Sequence, residues 1–267
     1  MPFDSLTDYR SSVVDNCDSV KLLCGDVLPI LAEFPSDFVD LVVTSPPYNF
    51  GIPYDNHDDR MPEDRYWAWL ESVWSGVYRV TKPCGRICVN GPLEQPSSGL
   101  WISKCWATLR NAGWNYMFVI TWLKSIKEAC HAWGSFASPS NPYCRNPEEM
   151  ILVAYKGERK NPANGRQPII TPQEFIKYTS GVWDDVYVDT SRDAKRHPAT
   201  FPKELPARCI KLLAYRGDTV LDPFCGIGTT GMASVACGCK FIGIDISPKY
   251  VGIAKERIYG ELTKKEP

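Results

Sequence analysis

Residues 219–238 read TVLDPFCGIGTTGMASVACG, an apolar run that leads through a glycine loop into a stretch with helical character. Gly226 and Gly228 directly follow the predicted strand and open the predicted helix. The next predicted strand ends at Asp245. In such a strand–loop–helix–strand unit, glycines let the backbone approach a ligand, and the acid accepts hydrogen bonds from ribose hydroxyls. The stretch predicts an α/β fold with a ribose-containing ligand, and a purely structural turn is the alternative.

The same alternation of strand and helix extends over most of the chain. The apolar runs that predict further strands are FVDLVVT (38–44), RICVN (86–90), YMFVITWL (116–123) and MILVAYKG (150–157). The stretches with helical periodicity are EDRYWAWLESVWSGVYRV (63–80), LWISKCWATLRNAGW (100–114) and PKELPARCIKLLAYRG (202–217). Alternation of this kind is typical of a doubly wound, mainly parallel sheet.

Composition narrows the class of protein. A chain of 267 residues with 44% hydrophobic and 23% charged residues is typical of a soluble globular protein. The net charge of -1 neither requires nor excludes a polyanionic partner, so any basic surface must be local. We expect no membrane span, because no apolar run approaches about 18 residues, and no signal peptide. The 11 cysteines lack zinc-like spacings, which predicts reduced thiols, an intracellular location and no bound metal.

Between residues 156 and 203 the chain is polar, weakly periodic and rich in turn residues, with nine Lys or Arg against six Asp or Glu. We predict a small irregular segment at 156–198, placed between residues 1–155 and 199–267. A solvated linker is the alternative for this segment.

Acidic residues near the glycine loop indicate the charge of the ligand. Asp222 ends the strand before the loop, where its carboxylate would repel a pyrophosphate and suit a cationic amino-acid head group. This favours S-adenosylmethionine over a dinucleotide, unless Asp222 only caps the loop. Asp26 is a second acid at a strand end; it can accept from an adenine amino group or cap the following helix. Phe224 can cover the ligand or pack in the core.

Residues 44–48 read TSPPY and stop another apolar strand with two prolines, which cannot donate to a sheet ladder. A simple strand-ending turn is one interpretation. The other is an active-site corner that holds a serine oxygen and a tyrosine ring in fixed positions.

TSPPY, DPFCGIGTTG and GIDIS together resemble the amino-methyltransferases that modify exocyclic nitrogens of DNA bases, with the motif order of the beta branch. GDVLPIL, MILVAYKG and HPATFPKELPARCI fit the same branch, and the resemblance spans roughly residues 20–260. It implies a Rossmann-like methyltransferase fold with a catalytic half at 1–155, a target-recognition segment at 156–198 and a cofactor-binding half at 199–267. The implied cofactor is S-adenosylmethionine, and the implied substrate is DNA.

The resemblance also assigns site residues. The catalytic set is Ser45, Pro46, Pro47 and Tyr48. The cofactor-binding set is Asp26, Asp222, Pro223, Phe224, Gly226, Gly228, Thr229 and Asp245. Serine at position 45 is the version associated with N4 of cytosine, whereas aspartate is usual for N6 of adenine. We expect the Ser45 Oγ and the Pro46 carbonyl to accept hydrogen bonds from the base amine, and Tyr48 to stack on the base.

Binding of DNA is expected to require extrusion of the target base, with NFGIPYDNHDD (49–59) as a mobile loop that closes over it. The candidate phosphate contacts are Arg145, Lys160, Arg166, Arg196 and His197, although each can equally belong to a solvated face. Further expectations from the resemblance are a homodimer, a restriction endonuclease partner and a cytoplasmic, nucleoid-associated location, or a nuclear one in a eukaryote.

Three alternatives stay open at this point. The same fold can act on adenine N6, on RNA or on a glutamine side chain, although the last two usually carry Asn first and place the corner after the glycine loop. A catalytically silent DNA-binding subunit would not need the intact corner and loop. A nicotinamide dehydrogenase is opposed by Asp222 and by the lack of GxGxxG counted from Gly226.

Overall fold

Nine strands pair side by side among the residues that the computed structural model describes, which are 13–17, 19–94, 99–124, 134–142, 146–188 and 196–263. In chain order the strands are β1 (Val13–Cys17), β2 (Val20–Cys24), β3 (Val39–Thr44), β4 (Thr81–Pro92), β5 (Asn115–Leu123), β6 (Glu148–Tyr155), β7 (Val182–Trp183), β8 (Thr219–Asp222) and β9 (Lys240–Asp245). Their order across the sheet is β1-β2-β9-β8-β3-β4-β6-β5-β7.

The five strands β2, β9, β8, β3 and β4 run parallel to one another in the centre of this sheet. Strand β6 is antiparallel to both β4 and β5, and β1 is antiparallel to β2. The α/β prediction with a doubly wound, mainly parallel sheet is confirmed. Because the central strands are parallel, their carboxyl ends lie at one edge of the sheet, which we call the carboxyl edge. The opposite one is the amino edge.

Seven helices of the described residues surround the sheet. They are α1 (Val27–Glu33), α2 (Glu63–Val80), α3 (Trp101–Asn111), α4 (Pro172–Tyr178), α5 (Glu204–Leu213), α6 (Thr229–Ala236) and α7 (Pro248–Leu262). Helices α1 to α3 bury their apolar stripes in one core, where Trp74 and Leu70 are fully inaccessible. Helices α5 to α7 supply a second core that includes Ile210 and Val251. The sheet thus has a hydrophobic core on each face, as a doubly wound fold requires.

The residues that follow β3 and β8 explain why both strands end at the carboxyl edge. Pro46 and Pro47 follow β3, and Pro223 follows β8, so the ladder loses its N–H donors at these points. After β8 the chain turns through Gly226 and Gly228, whose φ angles are 49° and 77°. Residues with side chains rarely adopt such positive φ values, so the turn into α6 depends on glycine.

The segment at 156–198 contains more regular structure than its sequence pattern predicts. Helix α4 begins with a capping box in which the side chains of Thr171 and Glu174 satisfy each other's backbone amides. Strand β7 then joins the sheet beside β5. Arg208 of α5 lies 4.6 Å from the ring centre of Tyr178 and forms an ion pair with Asp185, which ties this segment to the second core.

Within the described ranges, no helix combines the length and the apolar character needed to cross a bilayer.

Candidate active site

The proline corner and the glycine loop meet at the carboxyl edge, because β3 and β8 are neighbours in the sheet. Thr44, the last residue of β3, donates a hydrogen bond from its Oγ1 to Asp222 Oδ1 over 2.7 Å. One pocket is lined by both Ser45–Tyr48 and the loop residues that follow Asp222. The corner therefore faces the glycine-lined pocket, as a methyl transfer between them requires.

This glycine-loop pocket has an unusual charge balance. Asp26, Asp222 and Asp245 all line it, whereas no lysine or arginine is among the described residues on its walls. A dinucleotide pyrophosphate would meet three carboxylates and no cation. The same set of residues fits a ligand that carries positive charge, such as the sulfonium and ammonium groups of S-adenosylmethionine.

Asp222 lies fully inside this wall and holds the loop together. Its Oδ1 accepts from Thr44 and from the Phe224 amide (3.1 Å), and its Oδ2 accepts from Thr230 Oγ1 (2.6 Å). Burial raises the pKa of Asp222 to about 6, although these hydrogen bonds act in the opposite direction. Because these three donors are uncharged, a cation bound nearby would further stabilise the ionised form of Asp222.

Asp245 closes the loop from the neighbouring strand. Its two oxygens accept from the amides of Gly226 and Ser247, each over 2.9 Å. Burial raises the pKa of Asp245 above its usual value. Each carboxylate oxygen has a further acceptor position, so the group can still bind two hydroxyls of a ribose.

The corner is held in place by its neighbours. The Pro47 carbonyl accepts from Tyr66 Oη over 2.9 Å, whereas no hydrogen bond from the described residues ends on the Pro46 carbonyl. Ser45 Oγ lies 2.6 Å from Tyr48 Oη, and the Tyr48 ring packs edge-on against Trp101 with centroids 5.4 Å apart. Ser45 and Pro46 thus present an oriented hydroxyl and, among the described residues, an unpaired carbonyl.

A second cavity, which we call the cleft, opens on the other side of the corner. It shares Ser45, Tyr48, Tyr54, His197 and residues 199–201 with the glycine-loop pocket. Its other polar lining residues are Asn90, Glu94, Lys124, Asn146, Glu148 and Glu149. The corner forms the boundary between the two cavities, so a group in the cleft and a group in the pocket can both reach it.

The comparisons with known proteins agree with this arrangement. The family model described as DNA methylase matches residues 39–256. The chain is 36% identical over 170 residues to the Type II methyltransferase M.MjaVI of Methanocaldococcus jannaschii, covering 62% of this chain and 85% of the relative. It is 30% identical to the DNA adenine methyltransferase YhdJ of Escherichia coli K12, covering 90% of this chain and 83% of YhdJ. This chain belongs to the DNA methylase family.

A solved structure extends the likeness to the whole fold of this DNA methylase. TTHA0409 of Thermus thermophilus, complexed with S-adenosyl-L-methionine, matches with a TM-score of 0.70 at 27% identity, over 90% of this chain and 93% of TTHA0409. Family membership confirms the prediction of an S-adenosylmethionine-dependent DNA methyltransferase of the N4/N6 type.

Most of the predicted cofactor residues line the glycine-loop pocket. They are Asp26, Asp222, Pro223, Phe224, Gly226, Thr229 and Asp245. Asp26 lines the pocket and also caps α1 by accepting from the Leu28 amide over 3.1 Å. Gly228 faces α7, where an added Cβ would lie 2.8 Å from Ala254 Cβ, and its part in cofactor binding stays a prediction. Gly228 lets α7 approach the loop, and it does not line the pocket.

Two of the predicted DNA contacts lie at the amino edge of the sheet. Arg166 forms an ion pair with Asp218 (3.0 Å) at the amino edge and covers the ring of Tyr215. Lys160 follows Arg159, whose carbonyl accepts from Arg86 near the start of the paired region of β4. Neither residue lines the cleft, and their contact with DNA stays a prediction. Arg145 lies outside the described residues.

His197, another predicted DNA contact, lines both the pocket and the cleft. Its ring packs 4.5 Å from the Tyr250 ring, and an added Cβ on Gly226 would lie 3.3 Å from its Nε2. Burial lowers the pKa of His197 to about 4, so it is neutral at pH 7 and carries no charge for a phosphate. It belongs to the wall between pocket and cleft. The neighbouring Arg196 is half-exposed and forms an ion pair with Glu256 (3.2 Å).

Two features of the site were not predicted from the sequence. Ile246 is 44% exposed and lines the pocket directly after Asp245, where it presents an apolar surface. The polar side chains of β4 and β6 behind Tyr48 had no signal in the sequence.

The predicted loop at 49–59 supplies lining residues to both cavities. It is held by buried Asp59, which accepts from the amides of Asn49, Phe50 and Ile52. Its mobility stays a prediction. Among the described residues, no cluster of three His, Cys, Asp or Glu is suited to a metal ion.

Proposed function

We propose that this methylase transfers a methyl group to the exocyclic N4 of cytosine in DNA. The observation that carries the proposal is that Ser45 lines both the glycine-loop pocket and the cleft, while the next residue, Pro46, lines the pocket. A base that enters from the cleft and a methyl donor in the pocket would both reach Ser45. Serine at this position, in place of aspartate, favours cytosine.

The corner acts on the nucleophile. The N4 nitrogen of cytosine is a weak nucleophile because its lone pair is delocalised into the ring. Hydrogen bonds from its two N–H groups to Ser45 Oγ and the Pro46 carbonyl draw the nitrogen toward tetrahedral geometry and localise the lone pair. Because the prolines fix these acceptors before the base arrives, the reaction needs no further reorganisation of the corner.

The cofactor, when bound, supplies a methyl group on a sulfonium sulfur; transfer breaks the S–CH3 bond, forms the N–CH3 bond and releases one amine proton. Asp245 is placed to hold the ribose, Ile246 to contact the adenine, and Asp222 to attract the ammonium group. The Tyr48 ring, supported by Trp101 at 5.4 Å, offers a surface on which the base can stack.

The target base must leave the duplex to reach the corner, because Pro46 is buried and Ser45 and Tyr48 are only partly exposed. Arg60 is exposed at the end of the loop whose Phe50, Ile52 and Tyr54 line the cleft, and it has no ion pair with the described residues. We include Arg60 and Arg196 as proposed phosphate contacts. The recognition role of residues 156–198, the homodimer and the endonuclease partner rest on the family resemblance.

A second candidate function is methylation of N6 of adenine. YhdJ, the 30%-identical relative, is an adenine methyltransferase, and adenine presents a similarly delocalised exocyclic amine. The fold and both cavities serve either base.

Incubation of the purified methylase with unmethylated genomic DNA and S-adenosylmethionine, followed by nucleoside mass spectrometry, tests the proposal. We expect N4-methylcytosine, formed by the wild type and lost in Ser45→Ala. N6-methyladenine alone would replace the first candidate by the second. Formation of neither base, with S-adenosylmethionine bound and several DNA sources tried, would overturn the proposed function.

A further inference from the structure

A chain of hydrogen bonds runs from Ser45 away from the cofactor, across the floor of the cleft. Ser45 Oγ lies 2.6 Å from Tyr48 Oη, Asn90 Nδ2 donates to Tyr48 Oη over 3.2 Å, and Asn90 Nδ2 also lies 2.5 Å from Glu149 Oε2. Lys124 forms an ion pair with the other oxygen of Glu149. The chain thus ends on a carboxylate that is remote from Ser45 in sequence.

The sheet register brings these residues together. Asn90 on β4 pairs with Ile151 on β6, and Glu149 pairs with Pro92, so Asn90 and Glu149 are diagonal neighbours on one face. Asn90 is only 3% exposed, and the Glu149 side chain only 12%. Hydrogen bonds between such groups are worth more than on the surface, because water does not compete for them.

Glu149 determines which way the Asn90 amide points. An ionised carboxylate only accepts, so it binds the NH2 side of the amide and would repel the Oδ1 side. Asn90 Oδ1 has no hydrogen-bond partner within the described part of the chain. A buried oxygen without a partner costs free energy, and the amide keeps this orientation because Glu149 binds its NH2 group.

The oriented amide in turn holds the Tyr48 hydroxyl. Asn90 Nδ2 donates to Tyr48 Oη over 3.2 Å, and Tyr48 Oη lies 3.3 Å from the Asn90 backbone carbonyl and 2.6 Å from Ser45 Oγ. Burial, followed by the charge of Glu149, raises the pKa of Tyr48 well above its usual value, so Tyr48 keeps its proton. The short contact holds Ser45 Oγ in one position, and whichever hydroxyl donates, Ser45 Oγ keeps a lone pair for the base amine.

We propose that Glu149 is a positioning residue for methyl transfer, which acts through Asn90 and Tyr48 to hold the Ser45 hydroxyl where it meets the base amine. This inference rests on the proposed function and deepens it. Without Glu149 the Asn90 amide can rotate, Tyr48 Oη loses the Asn90 N–H group that holds it, and Ser45 Oγ is no longer fixed at the position that the base amine requires.

The first test is Glu149→Gln, assayed by single-turnover methylation with saturating S-adenosylmethionine and DNA. We expect the rate to fall about 30-fold, while the dissociation constant for S-adenosylmethionine stays within about twofold of wild type. Glu158→Gln is the matched control, since Glu158 is an exposed glutamate beyond the other end of β6. An unchanged rate in Glu149→Gln overturns the inference, and so does an equal rate loss in Glu158→Gln.

The second test separates positioning from general destabilisation. If Glu149 acts through Tyr48, then Glu149→Gln will reduce the rate much less in a Tyr48→Phe background than in the wild type. If the rate reductions of the two single variants multiply in the double variant, the two residues act independently and the inference is overturned. Inactive wild-type protein would instead contradict the proposed function itself, so the two failures are distinguishable.

Discussion

The two edges of the sheet both carry buried aspartates, yet the partners of these aspartates differ. At the amino edge, Asp40 is bound by Lys82 through both oxygens, and Asp218 is paired with Arg166. At the carboxyl edge, Asp222 and Asp245 accept only from hydroxyl and amide donors, and no cation lies among the described residues of their pocket.

This difference in partners distinguishes the aspartates that stabilise the fold from those that can bind a ligand. A buried carboxylate with a cationic side chain beside it is neutralised within the protein, and losing it costs stability. A buried carboxylate without one leaves negative charge for a ligand to compensate. The carboxyl edge is therefore built for a cationic, ribose-containing cofactor, whereas the amino edge fastens the segment around Arg166 to the sheet.

The largest expected difference between the edges is in cofactor affinity. Asp245→Asn removes the charged acceptor at the ribose position, and we expect the affinity for S-adenosylmethionine to fall about 100-fold by isothermal titration. Asp218→Asn is the matched change at the amino edge. It should leave that affinity unchanged but lower the free energy of unfolding by about 1–3 kcal/mol in urea titrations. The reverse pattern would mean that the two edges have been assigned incorrectly.

A smaller effect is expected from pH. The pKa of Asp222 is about 6 in the folded protein without cofactor, and protons compete with a cationic ligand for this carboxylate. Affinity for S-adenosylmethionine should therefore be constant above pH 7 and fall by up to about tenfold for each pH unit below 6. In the cofactor-free protein the raised pKa has the opposite consequence: the free energy of unfolding falls as pH rises from about 4 to about 6.

A neutral ligand provides the control for this pH effect. 5′-Methylthioadenosine has the nucleoside but neither the sulfonium nor the ammonium group, so its affinity should depend less on pH. The same pH profile for both ligands would show that Asp222 does not interact with the cationic part of the cofactor.

The smallest expected effect concerns DNA. Arg60→Ala should weaken binding several-fold and reduce the slope of log affinity against log salt by about one, if Arg60 contacts a phosphate. Lys160→Ala, which removes an exposed cation at the amino edge, should change neither. Filter binding or fluorescence anisotropy at several salt concentrations measures both, and a larger effect of Lys160→Ala would place the DNA at the other edge.

Local patterns predicted most of this fold. The runs around β3, β8 and β9 indicate buried strands, and the residues that end them are prolines and glycines with few conformational choices. The helix α4 was missed, although Thr171 and Glu174 have the spacing of a capping box. Seven residues are too few to show helical periodicity, and α4 is stabilised by its contacts with α5, among them an ion pair between Glu174 and Lys211.

The site was predictable as far as its residues belong to one motif. Ser45 and Asp222 each lie at a strand end, and neighbouring parallel strands must end at the same edge. The edge at which Arg166 lies depends on how the chain crosses the sheet, which composition does not reveal. The link from Glu149 through Asn90 to Tyr48 depends on the antiparallel register of β4 and β6, and a single sequence gives no information about it.

The role of the proline corner is tested most directly by Ser45→Ala, assayed in parallel for cofactor binding and for single-turnover methylation of DNA. We expect the dissociation constant for S-adenosylmethionine to stay within about twofold of wild type, while the methylation rate falls at least about 100-fold. A variant that binds the cofactor and still methylates DNA at the wild-type rate would contradict the claim that this corner activates the base nitrogen.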